Sequence, residues 1–206
     1  MSVSPVPAKQ RPDGSPGRPA WLKIRLRTGE PYREMQGLLR SGDLHTVCEE
    51  ARCPNIYECW DRGTATIMIL GAVCTRSCGF CAVKTGRPPH LDLSEPERVG
   101  RAVAEMRLRH CVITSVNRDE LPDGGAGIWA ATIRRIQAYA QDCTVEVLLP
   151  DFQGDREALA EVMAARPDIL AHNMETVPRL YPRVRPQARY DRSLEMLARA
   201  CEAGMT

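Results

Sequence analysis

From residue 64 onward the chain alternates short, continuous apolar runs with longer stretches whose apolar residues recur every three or four positions. The runs at 64–70 (TATIMIL), 111–116 (CVITSV), 144–149 (TVEVLL) and 168–172 (DILAH) predict four strands. The first is β-branched and apolar throughout, as a strand covered on both faces should be. Helical periodicity fills the intervals. Ser94-x-x-Glu97 reads as a capping box opening a helix with Val99, Val103 and Met106 on one face. A second helix carries Ile128, Thr132, Ile133 and Ile136, and a third starts from Asp155 with Leu159, Val162 and Met163. A fourth, capped by Asp191, bears Leu194, Leu197 and Cys201 and closes at Gly204. Four successive strand–helix units predict an α/β fold with a parallel sheet and right-handed crossovers.

The first third of the chain is patterned differently. Residues 1–20 are rich in Pro, Gly, Ser and charge, and are expected to form a disordered tail. Residues 21–63 form an extension: 21–27 (WLKIRLR) alternates as a short half-buried strand or clasp, and Met35, Leu38 and Leu39 fall at helical spacing before Gly42. A Pro- and Asn-interrupted stretch of short helical turns then leads to the 64–206 unit.

Composition adds boundaries rather than function. With 206 residues, 43% hydrophobic and 26% charged, the chain is long enough for one core with attached extensions. A formal charge of +2 gives no whole-chain case for nucleic acid. Lys9, Arg11, Arg18, Lys23, Arg25 and Arg27 against Asp13 and Glu30 make the start basic, a pattern usual for a solvated segment. No apolar run is long enough to span a membrane. The opening lacks an apolar secretory core and is broken by prolines, so a cytoplasmic location is expected.

Polar clusters gather where parallel α/β folds build their sites, in loops after the carboxyl ends of strands. These are TSVNRDELPDGG, PDFQGD and HNMET, after the second, third and fourth strands. Neither G-x-G-x-x-G nor G-x-x-x-x-G-K-[ST] follows the first strand, which leaves those two modes of nucleotide binding unsupported. A cysteine cluster follows it instead.

Six of the nine cysteines form two triplets. Cys74, Cys78 and Cys81 are spaced C-x₃-C-x₂-C, and Cys48, Cys53 and Cys59 are spaced C-x₄-C-x₅-C. Cys111, Cys143 and Cys201 lie at apolar-patterned positions and are expected in the core. In a reducing compartment, close-set cysteines point to iron–sulfur clusters or zinc rather than disulfides. Three thiolates on a four-iron cluster leave one iron open for a substrate or cofactor. The zinc alternative takes His45 or His90 as fourth ligand, but Cys78–Cys81 alone has knuckle spacing.

Cys74, Cys78, Phe80 and Cys81, read as C-x₃-C-x-aromatic-C after the first strand, resemble the signature of the radical S-adenosylmethionine superfamily. The upstream triplet in LHTVCEEARCPNIYECW narrows the resemblance to the lipoyl synthase family. So do the blocks ATIMILGAVCTRSCGFCAVKTGRP, VITSVNRDELPDGGA, VEVLLPDFQGD and HNMETVPRLYPRVRP, with the lead-in WLKIRL.

That resemblance implies two [4Fe–4S] clusters. Cys74, Cys78 and Cys81 would hold the one that cleaves S-adenosylmethionine to a 5′-deoxyadenosyl radical. Cys48, Cys53 and Cys59 would hold an auxiliary cluster consumed as sulfur donor. The acceptor would be an octanoyl-lysine on a lipoyl carrier domain, taking sulfur at C6 and C8. An electron donor and a cluster-rebuilding iron–sulfur carrier are implied as partners. Cofactor contacts are expected from Phe80 at the adenine, from Asn173 and Glu175 at the ribose, and from Thr114, Ser115 and Asp119 at the methionine end. Arg185 would pair with the methionine carboxylate, which a planar guanidinium suits.

Two features depart from the family pattern. Its auxiliary cluster takes a serine from an Arg-Ser-Ser-Tyr motif that is missing here, and Ser193 in DRSLEM stands in a different context. Its fold is a partial (β/α) barrel of six units, of which four are counted here. The resemblance therefore predicts an amino-terminal fragment, unstable or inactive by itself through an exposed sheet edge. Two other functions compete: a different radical enzyme with an auxiliary cluster, and a non-catalytic iron–sulfur or zinc protein.

Overall fold

The computed structural model describes residues 29–88 and 90–205. The expected tail and the 21–27 clasp lie outside them. The described chain opens with helix α1 (Glu30–Ser41), which buries Met35 and Leu39. A short strand β1 (His45–Thr46) runs into α2 (Val47–Glu50), whose N-cap Thr46 accepts the Glu49 N–H at 3.2 Å. Helix α3 (Ile56–Asp61) follows.

The four predicted strands are present as β2 (Thr64–Ile69), β5 (His110–Ser115), β6 (Thr144–Leu148) and β7 (Ile169–Ala171). Between the first two lies a small parallel pair, β3 (Val73–Cys74) and β4 (Lys84–Thr85). The helices that alternate with the main strands are α4 (Glu95–Glu105), α5 (Ala126–Tyr139) and α6 (Arg156–Ala164). Then come α7 (Tyr181–Val184) and α8 (Tyr190–Glu202).

Among the described residues, one mixed sheet has the order β1-β2-β5-β6-β7, with β1 antiparallel and the rest parallel. Ile67, Ile113, Val147 and Leu170 face one another across four strands, and all are buried. Ala65, Cys111 and Val145 make a second buried row. Trp129, Ile133 and Ile136 of α5 are fully buried beside them, each worth about 1.5–3 kcal/mol if Trp129 is counted with the aliphatic residues. Gly100 lets α4 approach α5 closely: a Cβ there would stand 2.8 Å from Cβ of Arg135.

Among the described residues the sheet is open, with β1 and β7 at its edges, and does not close into a barrel. Strand β2 is covered on both faces only in its carboxyl half, where consecutive Ile67, Met68 and Ile69 are all buried. Thr64 and Thr66 alternate with buried Ala65 and Ile67, and Val112, Glu146 and Leu148 are likewise half-buried. That second face carries the His110–Glu146 pair at 3.0 Å. No helix among the described residues is long and apolar enough to cross a membrane.

Three local expectations are corrected. The Ser94–Glu97 capping box does not form, because Asp92 takes both the N–H and the hydroxyl of Ser94, at 2.8 and 2.7 Å. Glu97 turns instead to Arg101, Arg135 and Tyr139. Arg189, not Asp191, occupies the N-cap of α8; Asp191 sits in the first turn and pairs with Arg189. That helix also faces inward differently. Ser193, Met196 and Ala200 are buried, while Leu194 and Cys201 are exposed, so Cys201 leaves the core that Cys111 and Cys143 occupy.

Candidate functional site

Beyond β2 the chain turns through Leu70 (φ +68°) and Gly71 (φ +87°), both in the left-handed region. For a leucine this conformation needs external support. Buried Glu95 supplies it, accepting the N–H groups of Leu70 and Gly71 at 2.7 and 3.3 Å. Arg118, also buried, donates to the Leu70 carbonyl at 3.1 Å. Burial raises the Glu95 carboxyl, against the pull of those two N–H groups. With the turn so fixed, β3 delivers Cys74 to the sheet's carboxyl end, and its pairing with β4 closes the loop that holds Cys78 and Cys81.

Cys74 is buried, Cys78 half-buried and Cys81 exposed. The Cys74 sulfur accepts backbone N–H groups from Asn117 at 3.2 Å and from Arg76 at 3.4 Å. Such donors stabilise a thiolate. Burial pushes the Cys78 thiol up, Arg185 pulls it down, and Cys74 and Cys81 raise it again, so the three sulfurs share one region.

A cleft with about 730 Å³ of empty space, open to solvent, adjoins these sulfurs. Its walls come from the ends of β5, β6 and β7. Of the residues expected there, Phe80, Thr114, Ser115, Asn173, Glu175 and Arg185 all line it. Phe80 is 54% exposed, so its ring is free to meet a ligand. Thr114 donates to the Leu148 carbonyl at 3.2 Å, and Arg185 Nη1 to the Asn173 carbonyl at 2.5 Å. Ser115 Oγ and Arg185 Nε are buried without a partner. Unpaired buried polar atoms are costly, and two at one cleft suit a polar ligand.

Asp119 is not among the lining residues. Both its oxygens are held by Arg76, at 2.7 and 2.8 Å. Asn117 and His172, which do line the cleft, were not anticipated. Asn117 stands one residue beyond the TSV strand end, and that position is the sequence signal for it. The His172 imidazole meets the Leu149 carbonyl through Nδ1 at 2.7 Å. A carbonyl only accepts, so Nδ1 carries the proton and Nε2 accepts the Ser193 hydroxyl at 2.8 Å. Burial holds this histidine below its ordinary pKa, in its neutral form.

The other triplet lies on α2, the turn after it, and α3. Backbone bonds fold the stretch tightly: Cys53 N–H to the Cys48 carbonyl at 3.0 Å and Cys59 N–H to Asn55 at 3.0 Å. Burial raises the Cys59 thiol first, then Cys48 and Cys53, with Arg62 opposing. Cys48 and Cys53 line a second cleft with Tyr32, Gln36, Glu49, Arg52 and Tyr57. Among the described residues, no three His, Cys, Asp or Glu side chains are arranged to hold a single metal ion. His45 pairs with Glu50 at 3.6 Å.

Comparison with known sequences bears directly on this geometry. The profile described as "Radical SAM superfamily" matches residues 68–206, from inside β2 through every strand end at the cleft. The chain belongs to the radical SAM superfamily. Membership implies a [4Fe–4S] cluster and S-adenosylmethionine. A second profile, the N-terminal domain of lipoyl synthase of the radical SAM family, matches residues 8–53 and includes Cys48 and Cys53.

Curated relatives within the superfamily are close. A lipoyl synthase of Rubrobacter xylanophilus is 66% identical over 189 residues, 92% of this chain and 59% of that protein. One from Symbiobacterium thermophilum is 58% identical over 98% of this chain and 63% of its own length. One from Bacillus subtilis is 60% identical over 90% and 62%. The chain thus spans about three-fifths of the length of these radical SAM relatives.

Proposed function

We propose that this chain carries the radical and sulfur-donor sites of a lipoyl synthase, inserting sulfur at C6 and C8 of a protein-bound octanoyl-lysine. The observation that carries it is the pairing of two cysteine triplets of different surroundings. One adjoins a strand-end cleft with two unpartnered buried polar atoms, and the other is folded into short helical turns upstream. The relatives named above support it as well.

Cys74, Cys78 and Cys81 would hold the radical cluster, and Cys48, Cys53 and Cys59 an auxiliary cluster. When bound, the radical cluster supplies the electron that cleaves S-adenosylmethionine and so gives access to an unactivated C–H bond. The chain's own residues bind and orient. The free Nε of Arg185 is available to the methionine carboxylate, and the Ser115 hydroxyl to a polar atom beside it. Asn173 and Glu175, exposed at the mouth, suit the ribose hydroxyls, and the open face of Phe80 suits the adenine. Thr114 keeps an acceptor lone pair toward the cleft after donating to Leu148. Asp119 acts through Arg76 rather than by contact. His172, neutral and fixed by two hydrogen bonds, forms a firm wall.

The open sheet is read as part of a (β/α) barrel, with residues 21–63 as its cluster-bearing extension. Partners would be an octanoylated lipoyl carrier domain, an electron donor and an iron–sulfur carrier that rebuilds the auxiliary cluster, all in the cytoplasm. Anaerobic reconstitution followed by assay with an octanoyl-lysine peptide, S-adenosylmethionine and a reductant tests this. About eight irons per chain are expected, and dithiolane formation would set aside the expected inactivity of the chain by itself. S-adenosylmethionine cleavage without sulfur insertion would favour a different radical enzyme, and zinc without iron would overturn both.

A further inference from the structure

Arg76 stands between Cys74 and Cys78, yet it is 4% exposed. Burying a guanidinium is costly unless its charge is matched. Here Nε and Nη2 form a fork on Asp119 at 2.7 and 2.8 Å, and Nη2 also reaches Asp151 at 2.6 Å. Asp151 is 2% exposed and meets Arg192 of α8 at 3.3 Å through its other oxygen. One side chain of the cysteine loop therefore joins the loops after β5 and β6.

Backbone contacts run alongside. Thr75 N–H donates to the Asn117 carbonyl at 3.0 Å, and its hydroxyl does the same. Asp119 N–H donates to that hydroxyl at 3.1 Å. Residues 75–76 are thereby stitched to 117–119, and the same stitch sets the Asn117 and Arg76 N–H groups on the Cys74 sulfur.

We propose that Arg76 is a positioning residue: its fork on Asp119 and Asp151 holds both N–H donors on the Cys74 sulfur and so raises the reduction potential of the cluster that sulfur ligates. This rests on the assignment of Cys74, Cys78 and Cys81 as cluster ligands. Hydrogen bonds to a ligating sulfur favour the more negative, reduced state, so their loss lowers the potential.

The test is a potentiometric titration, followed by electron paramagnetic resonance, of the reconstituted protein in a Cys53→Ala background that leaves one cluster. Arg76→Gln removes a positive charge and the fork, so a lower potential is expected on either electrostatic or positioning grounds. Asp119→Asn separates the two. Losing a nearby negative charge raises the potential by electrostatics alone, whereas loosening the loop lowers it. A lower potential in Asp119→Asn, with about tenfold faster iron loss to a chelator, supports the proposal. An unchanged or higher potential in Asp119→Asn overturns it, and Asp119→Asn decides the matter even if Arg76→Gln fails to hold iron. Absence of iron from the Cys53→Ala parent would overturn the ligand assignment and the proposal with it.

Discussion

The two cysteine triplets solve the same packing problem in opposite ways. Around Cys74, Cys78 and Cys81 the support is polar and long-range: N–H donors on sulfur, a buried guanidinium, and strand-end loops far apart in sequence. Around Cys48, Cys53 and Cys59 it is local and aromatic. Tyr32 lies 5.0 Å from both Tyr57 and Trp60, and successive backbone turns do the rest. A site that must present an open metal position to a cofactor needs rigid polar walls. On the proposed assignment of Cys48, Cys53 and Cys59 to a sulfur-donating cluster, that site would need a pocket that can be taken apart and refilled.

The largest effect expected from this contrast is on metal and chemistry together. Cys78→Ala and Cys53→Ala should each lower iron from about eight to about four per chain. S-adenosylmethionine cleavage should vanish in the first and persist in the second. Loss of cleavage in Cys53→Ala would erase the division of labour.

Gly125→Ala strikes the scaffold beneath the polar triplet. Gly125 has φ +90°, and a Cβ there would stand 2.6 Å from Cδ1 of Leu70, the residue held between Glu95 and Arg118. A loss of about 1–3 kcal/mol is expected in denaturant unfolding. Tyr32→Ala strikes the aromatic triplet, forfeiting ring contacts worth about 0.5–1.5 kcal/mol each. It should speed loss of iron held by the proposed Cys48, Cys53 and Cys59 site while leaving S-adenosylmethionine binding unchanged by calorimetry.

The smallest effect is a pH dependence confined to the cleft wall. Burial and the charges of Arg185 and Arg76 lower the His172 pKa, with Asp151 and the Leu149 carbonyl opposing. The unfolded chain therefore binds the proton first, and stability is lost as pH falls below about 6.5. Thermal unfolding followed from pH 7.5 to about 5.5 should show this decline, and His172→Gln should flatten it. Asp151, whose pKa is lowered, titrates in a more acidic window.

What the sequence made legible was whatever periodicity or spacing can encode. The four parallel strands stood out as apolar runs, and the six cysteines as two spacings, because both are local patterns. Long-range partners were not legible. Nothing in TSVNRDELPDGG says that Asn117 meets a sulfur while Asp119 turns away to a guanidinium. Arg76 is the one charge within GAVCTRSCGFCAV, but spacing alone does not say which distant carboxylates it meets. Helix α8 differs for the same reason: Leu194 reads as core but is exposed, while Ser193 is buried with His172 as its hydroxyl's partner.

Strand β1 is two residues long, yet it sets a distance. His45 pairs with Met68 and Thr46 with Ile67, and Thr46 also caps the helix that carries Cys48. Sliding that pairing by one residue would displace Cys48 by about 3.4 Å along β2, the strand whose far end leads to Cys74, and would turn His45 and Thr46 to opposite faces. Those two pairings act as a ruler between the triplets, graduated in single residues.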